Sequence, residues 1–491
     1  MSQYWIVVAI LLPVIGGIAT ALLPFKQKKH MFLFIEIFMI ATSLIVWGLL
    51  AGGTTEVFHV VHFVHDLSIS FKIDGLTMVF AGLVSVLWPL ATLFAFEYME
   101  HHDHKKSFFM FYSIAYGVTL GIAFASDMLS MYFFYELLTL STVPLVMHTL
   151  KREAILATRK YLYYSLGGAA FALTGLVFLI VYGNDLEFVL GGSLSIEAVG
   201  DKAPLLLWIY LFAFMGFGVK AAIWPLSSWL PQAGVAPTPV TALLHAVAVV
   251  KAGVFAITRL TYYSFGTDFL KGTWVQYVVM GLAMFTMVYG CSRALKETHI
   301  KRRLAYSTVS NLSYIIFGVT IMTPLGLVGA LCHLVCHAVM KICSFLCAGA
   351  FMHQTGKSYI HDMDGVGRKM PIVFGCFTIS ALGLMGVPGL AGFISKWNLA
   401  QAAVDSRNPL AYVGIACLLV SALLTAIYMM SIVMRAFFPK ADFDASAIEG
   451  VKDPGWKMCV PLLICVVVNV LLGWFSQPLV QFFTDIAAGK F

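Results

Sequence analysis

Charged side chains are scarce in this sequence. Asp, Glu, Lys and Arg together make up 11% of the 491 residues, whereas hydrophobic residues make up 60%. A soluble domain carries about 25% charged residues, and a chain with this little polar surface could not remain in solution. The composition therefore excludes an ordinary soluble protein, and lipid is the solvent that fits it.

Two further patterns are missing. The net charge is +7, but the basic residues are dispersed between apolar runs, so nucleic acid is not expected as a partner. The nine cysteines lack the compact four-ligand spacing of a zinc or iron–sulfur site. Cys332, Cys336, Cys343 and Cys347 fall on roughly one helical face and are interpreted as small residues at a helix–helix contact. No metal and no cofactor is predicted.

Apolar runs long enough to cross a bilayer, about 20 residues in a helix, are abundant. The sequence contains fourteen of them: 4–24, 31–51, 73–96, 108–125, 128–148, 161–182, 205–226, 240–262, 273–292, 305–322, 326–352, 371–403, 410–437 and 457–484. The first lacks the charged start of a secretory signal peptide and is expected to be retained. The gaps between runs are too short for a soluble domain. We predict a single all-α, polytopic membrane domain with about fourteen transmembrane helices.

The positions of the basic residues predict the orientation of the chain. Loops with odd numbers, counted with the adjoining span ends, hold 21 basic residues, and loops with even numbers hold 4. Basic residues collect on the cytoplasmic side of a membrane. The odd loops are therefore predicted to be cytoplasmic, and both termini are predicted to face outward.

Two spans contain Gly and Pro where a helix would be interrupted. The seventh runs through FMGFGVKAAIWPLSSWLPQ around Lys220, and the twelfth through GLMGVPGLAGFISKW, which ends close to Lys396. Interrupted helices inside a membrane are tolerated only within protein or beside water. Two such breaks in matching halves of a chain are typical of transporters with inverted repeats and indicate the ion path.

A few ionisable residues lie deep within the predicted spans, where a charge costs roughly 3 kcal/mol. They are Glu136, Lys220, Lys251, Lys341 and Lys396. A structural ion pair would explain some of them. Alternatively, they carry protons, because burial favours the neutral amine while a nearby carboxylate favours the ammonium. A lysine whose partner moves can then take up and release a proton.

Two more basic side chains in these spans have simpler interpretations. His245 precedes Lys251 by six residues and, considered alone, is best explained as a core histidine with satisfied hydrogen bonds, although it is included among the candidate proton-translocating residues. Arg259 is close to a helix end, from which its side chain is expected to extend to the interface.

The eleventh span carries CHLVCHAVMKIC, in which His333, His337 and Lys341 are spaced by four and share one helix face. Histidine accepts and donates protons at physiological pH, so the pattern favours a proton relay. A metal would need a third ligand that is not evident, and a haem would need histidines facing each other from different helices. Structural polar contacts are the remaining alternative.

These motifs resemble the antiporter-like subunits of the respiratory complex I superfamily, which includes Mrp-type cation/proton antiporters and membrane-bound hydrogenases. The resemblance extends from about 110 to 400. The segments that carry it are YELLTLSTVPLV, GVKAAIWPLSSWLPQA, PTPVTALLHAVAVVKAG, RRLAYSTVSNLSY, the His333–Lys341 helix and GVPGLAGFISKW. Lysine rather than glutamate at 396 makes the chain more similar to the D-type Mrp and hydrogenase-linked branch.

The resemblance implies a fold with two inverted five-helix repeats and no long lateral helix at the end. It divides the single domain into N-terminal helices (1–107), a first repeat (108–262), a second repeat (273–437) and a final helix (457–484). It also implies roles for the candidate residues. Glu136 and Lys220 would form an ion pair, Lys251 would bridge the halves, and Lys396 would be the terminal lysine.

We therefore expect a proton or cation/proton translocating subunit in a bacterial or archaeal inner membrane. No flavin, iron–sulfur or nucleotide motif is visible, so no catalytic redox centre is expected in the chain itself. Expected partners are the lipid bilayer, protons, sodium as an alternative ion, and the other membrane subunits of a complex I-like, hydrogenase or Mrp-type assembly. Two alternatives remain: an exchanger driven by the proton gradient, and a redox anchor that holds haem or quinone.

Overall fold

The computed structural model describes residues 3–63, 67–194, 199–439, 443 and 445–491. Helices dominate this part of the chain. Twelve of them are long and apolar enough to cross a membrane.

The first half has seven long helices, followed by four shorter ones. Their bounds are α1 Tyr4–Leu22, α2 Lys28–Leu50, α3 Gly75–Tyr98, α4 Lys105–Phe124, α5 Met128–Val146, α6 Arg152–Tyr182, α7 Ala203–Lys220, α8 Trp229–Gln232, α9 Thr238–Ala246, α10 Val249–Thr258 and α11 Thr267–Leu270. A π-helical segment, Arg259–Phe265, continues α10. Side chains define several starts: Asp74 accepts from the Thr77 amide at the start of α3, and Asp127 accepts from the Ser130 amide at the start of α5.

The second half has fewer and longer elements. Their bounds are α12 Trp274–Lys296, α13 Ile300–Thr320, α14 Pro324–Thr355, α15 Pro371–Met385, α16 Ala391–Asp405, α17 Pro409–Phe437, α18 Trp456–Trp474 and α19 Gln477–Ala487. Nearly every residue of α14 is buried, and this helix contacts α13, α15, α16 and α18. It is the central helix of the second half.

All fourteen predicted spans are helical in the structure. Two of them fall outside the twelve long apolar helices for physical reasons. The α13 helix is more polar because nearly all of it is buried within protein, where Ser307, Ser310 and Asn311 do not meet lipid. The span 371–403 is divided between α15 and α16. The predicted fold class, an all-α polytopic membrane protein with two broken helices, is confirmed.

Both predicted helix interruptions are present. The α7 helix ends at Lys220, and eight residues of turn separate it from α8. The second break lies between α15 and α16, where Gly386 (φ 94°) and Gly389 (φ 87°) adopt left-handed conformations that other residues rarely occupy.

Three features differ from the sequence prediction. The gap 52–72 contains a two-stranded antiparallel hairpin, β1 Phe58–His62 and β2 Ser68–Phe71. The eighth span is interrupted between Ala246 and Val249 and then widens into the π-helical segment. The final span, predicted as 457–484, ends at Trp474, and α19 is a separate helix.

Candidate functional site

The first candidate pair joins α5 to the broken end of α7. The Lys220 Nζ lies 3.9 Å from Glu136 Oε1, and the lysine side chain is 1% exposed. Lys220 donates a hydrogen bond to the Tyr135 carbonyl and lies 3.4 Å from the centroid of the Tyr135 ring. Glu136 Oε1 itself has no hydrogen-bond partner in the described chain. The carboxylate and the ammonium therefore attract each other through space, without a hydrogen bond that would fix them together.

The second pair connects the two halves. Lys251 on α10 lies 2.8 Å from His337 Nδ1 on α14, and both side chains are fully buried. The lysine donates if its amine is charged, and the imidazole nitrogen then accepts. Since α10 belongs to the first half and α14 to the second, this contact directly joins ionisable groups of the two halves.

His333 occupies the next turn of α14. Its Nδ1 lies 2.9 Å from the Ser395 hydroxyl on α16. Its ring stacks on His337, with centroids 5.8 Å apart, and on Tyr314, with centroids 5.0 Å apart. The Nε2 atoms of both histidines are buried and without a hydrogen-bond partner among the described residues. A histidine pair with free ring nitrogens can exchange protons with water or with neighbouring groups.

Lys341 and Lys396 are not bonded to the histidines. Lys341 Nζ donates to the Ser307 hydroxyl on α13 at 2.8 Å. Lys396 Nζ donates to the carbonyls of Leu384 and Met385 at 2.7 and 2.9 Å. These carbonyls are left free by the break after α15, which explains why a lysine is stable there. His333, His337 and Lys341 lie on one face of α14, as predicted, but their side chains contact different partners.

His245 differs from the other candidates. Both ring nitrogens are buried and have no hydrogen-bond partner in the described chain, and the ring packs on Phe345 with centroids 4.7 Å apart. His245 is a core histidine, as expected, but the expectation that its hydrogen bonds are satisfied is wrong. Neither ring nitrogen has a partner among the described residues.

The expectation that Arg259 extends to the interface is wrong. Its side chain is 0% exposed and donates two hydrogen bonds to Asp74, of 2.6 and 2.8 Å. Burial would raise the pKa of Asp74, but the neighbouring guanidinium outweighs it and holds the pKa below its usual range. The pair fastens the end of α10 to the start of α3. Its bidentate geometry is that of a structural clamp.

Sequence reasoning missed two other buried groups. Lys301 lies between two predicted spans, in an odd-numbered loop that is expected to be cytoplasmic, yet its side chain is buried and donates to the Ala236 carbonyl at 2.8 Å. Glu36 is close to one end of the predicted span 31–51, yet it lies well inside α2, and its Oε2 is buried without a partner among the described residues. Only the packing of neighbouring helices distinguishes such residues from interfacial ones, so the sequence carried no signal for them.

A polar cavity of about 600 Å³ opens at the start of α5. It is lined by the hairpin and by Asp127, Asn184, Asp185 and Glu187. The buried Asp127 accepts hydrogen bonds from Ser70 and Ser130, and burial raises its pKa. The lining residue on α5 that is nearest in sequence to Glu136 is Leu129, seven residues away, or about 10 Å at the helical rise.

The histidine geometry does not suit a haem or a metal. His333 and His337 stack on one helix at 5.8 Å, which leaves no space for a porphyrin between them, and each has an Nδ1 occupied by a protein partner. Among the described residues, no group of three or more His, Cys, Asp or Glu side chains could hold a metal ion.

Comparison with protein families identifies the class. The model described as "NADH:quinone oxidoreductase/Mrp antiporter, TM" matches residues 125–428, and a model of the N-terminus of complex I chain 5 matches residues 62–109. The first match covers more than half of the chain. The chain therefore belongs to the NADH:quinone oxidoreductase/Mrp antiporter family of membrane proteins.

Individual relatives agree. The NADH-quinone oxidoreductase subunit N of Desulforudis audaxviator is 29% identical over 84% of this chain and 83% of its own length. A putative antiporter subunit mnhA2 of Staphylococcus aureus is 28% identical, and this chain spans 52% of its length. A chain of the membrane-bound sulfane sulfur reductase, an archaeal respiratory membrane complex, has the same fold: the TM-score is 0.86 at 22% identity, over 99% of this chain and 97% of that one.

Proposed function

We propose that this protein is a proton, or cation/proton, translocating subunit of a multisubunit membrane complex. The observation that carries the proposal is the line of buried and half-buried ionisable side chains from Glu136 and Lys220, through Lys251 and His337, to Lys341 and Lys396. Buried ionisable groups are expensive within a membrane and mark ion pathways. Family membership supports the proposal, since relatives are named as antiporter and quinone oxidoreductase subunits.

Protons would move laterally, between the two halves, rather than straight across one helix bundle. Lys220 and Lys396 both lie at helix breaks, where freed backbone groups admit water. Lys251 and His337 join the halves. Because neighbouring sites repel a second charge, the sites titrate as a coupled set, and loading one favours release from the next.

The test is proton flux in vesicles that contain the whole complex. Lys341→Ala and Lys396→Ala should each abolish flux while the subunit remains in the complex, because each removes a proton-carrying site without breaking an ion pair. Normal pumping by both variants would show that these lysines are structural and would overturn the proposal. Activity of the partner subunits serves as the control for intact assembly.

Sodium is the second candidate substrate, since a relative is named as an antiporter subunit. Sodium flux measured in the same vesicles distinguishes proton pumping from exchange. Uptake of labelled sodium that depends on Glu136 would favour exchange. Flux of protons that is unchanged by removing sodium would favour pumping.

The same proposal includes the cellular setting. We infer a bacterial or archaeal inner membrane, with the other membrane subunits of the complex as partners. We also infer that both termini are outside, because 21 basic residues lie in odd-numbered loops and 4 in even-numbered loops. Lys301 and Arg303, counted in an odd loop, are buried, and leaving them out keeps the imbalance. Reporter fusions at each end test the orientation, and a cytoplasmic signal from either end would contradict it.

A further inference from the structure

Lys341 is the start of a chain of hydroxyl groups that leads away from the histidines. It donates to the Ser307 hydroxyl at 2.8 Å. The Tyr428 hydroxyl on α17 donates to the same oxygen at 2.8 Å and lies 3.2 Å from Thr425 Oγ1. All four side chains are buried, with exposures of 0 or 1%. In the protein interior, such linked hydroxyls polarise one another.

A thiol occupies the middle of this cluster. Cys291 Sγ on α12 lies 3.5 Å from Thr425 Oγ1 and 3.0 Å from the hydroxyls of both Ser310 and Ser421. The two serine hydroxyls are themselves 3.0 Å apart. Cys291 therefore connects the part of the cluster that contacts Lys341 to the part beyond it.

The far end of the cluster reaches Lys396. The Tyr314 hydroxyl on α13 lies 3.4 Å from the Leu418 carbonyl, one turn of α17 before Ser421. The Tyr314 ring lies beneath Lys396, with the Nζ 5.4 Å from the ring centroid. Lysine has a flexible four-carbon stem, so its amine can swing from the carbonyls of the helix break to the tyrosine hydroxyl.

We propose that these groups form a proton wire between Lys341 and Lys396, and we call them the hydroxyl chain: Ser307, Tyr428, Thr425, Cys291, Ser421 and Tyr314. The proposal rests on the proposed function and assigns a path to its second half. The ammonium of Lys341 gives its proton to Ser307. The Tyr428 hydroxyl, once it has rotated from Ser307 to Thr425, accepts the proton of Ser307. Each following group then accepts a proton on its oxygen or sulfur and passes its own to the next. The neutral amine of Lys396 receives the last proton, and every hydroxyl and the thiol are restored.

The geometry favours this path over one through the histidines. Lys341 is hydrogen-bonded to Ser307, whereas His337 Nδ1 is taken by Lys251. His333 reaches Ser395, which provides a separate branch. The thiol is the weakest link of the hydroxyl chain, because a sulfur is a poor hydrogen-bond acceptor. It is the place where a substitution should show whether protons pass.

Tyr428→Phe is the first test, because it removes one oxygen and leaves the ring. It separates Ser307 from Thr425 and should lower proton flux by about tenfold or more. Tyr210→Phe is the matched control: Tyr210 is also fully buried, and its hydroxyl lies 3.0 Å from Thr261 Oγ1 in the first half. The control should pump at close to the wild-type rate. Equal rates for Tyr428→Phe and Tyr210→Phe would overturn the hydroxyl chain.

A pair of substitutions at Cys291 keeps the proposal testable if Tyr428→Phe fails to assemble. Cys291→Ser retains a group that donates and accepts, and Cys291→Val fills similar space without one. The serine variant should keep flux and a solvent deuterium isotope effect, and the valine variant should lose flux. Equal flux in the two variants would contradict the wire.

The flux of Lys341→Ala, measured in the same vesicles, distinguishes a failure of the hydroxyl chain from a failure of the relay through Lys341. If Lys341→Ala abolishes flux while Tyr428→Phe and Cys291→Val do not, protons leave Lys341 by another path and only the hydroxyl chain is wrong. If Lys341→Ala pumps normally, the relay through Lys341 is wrong and the hydroxyl chain with it.

Discussion

The two halves of the molecule hold their buried lysines in different ways. In the first half, α5 brings Glu136 to within 3.9 Å of Lys220. In the second half, α13 has the same place in the repeat, but it presents the Ser307 hydroxyl to Lys341. Lys396 meets only backbone carbonyls and the face of Tyr314. Within the described chain, neither Lys341 nor Lys396 has a carboxylate partner.

The different partners of these lysines suit the two halves to different steps of proton transfer. A carboxylate next to a lysine makes the protonation of each depend on the distance between them, so the first half can respond to movement. Neutral hydroxyls and carbonyls bind a proton carrier without holding its charge in place. The second half is therefore suited to passing a proton on, and the first half to controlling its entry.

The largest effect on protein stability is expected at the first pair. Glu136→Gln leaves Lys220 buried without a counter-charge, and breaking a buried pair in this way costs about 3–5 kcal/mol. Glu136 is partly exposed, which reduces the cost. Subunit level after membrane extraction should fall, and it should recover in the double variant Glu136→Gln with Lys220→Met, which removes both charges. Proton flux should not recover in the double variant.

The clamp between Arg259 and Asp74 provides the control for this experiment. Arg259 and Asp74 also form a buried ion pair, but neither residue belongs to the proposed line of proton-carrying groups. Arg259→Met together with Asp74→Leu should change subunit level while flux per assembled subunit stays near wild type. Loss of flux in both double variants would mean that any disturbed pair stops transport, and the distinction between the halves would fail.

An intermediate effect is expected for Lys396→Glu. The carboxyl would face the carbonyls of Leu384 and Met385, and two acceptors repel unless the carboxyl holds a proton to donate. Part of the flux should remain, because a carboxyl also binds and releases protons, and it should decline as pH rises and the proton is lost. Flux that is independent of pH would show that this position does not carry the proton.

The smallest effect distinguishes two histidines. His337 contacts Lys251 at 2.8 Å, whereas His245 has no hydrogen-bond partner in the described structure and packs on Phe345. His337→Leu should lower flux more than His245→Leu, because only the first removes a hydrogen bond to an ionisable partner. The reverse order in vesicle assays would assign the crossing point to His245.

The extent of sequence prediction follows the physics of each element. Apolar length determined the spans, and Gly and Pro determined the two breaks, because both signals are local. The four-residue spacing placed His333, His337 and Lys341 on one face of α14, as found. The serine partners of Lys341 and His333 could not be predicted, because Ser307 and Ser395 come from other helices whose rotation is set by packing.

The failures have the same origin. The position of Arg259 near a span end and that of Lys301 between two spans both predict side chains that reach water, but neighbouring helices cover both. The interruption between Ala246 and Val249 carries no Gly or Pro, so no local signal marked it. Long-range packing, rather than propensity, determines these positions.

The central claim is that the two halves act in series on one proton path. The most direct measurement is proton flux in vesicles holding the whole complex, with Glu136→Gln, Lys396→Ala and the combination compared at equal subunit level. The account predicts that either substitution alone removes the flux. If each single variant loses only part of the flux and the combination loses all of it, the protein has two independent proton paths. That result would contradict the claim that the two halves act in series.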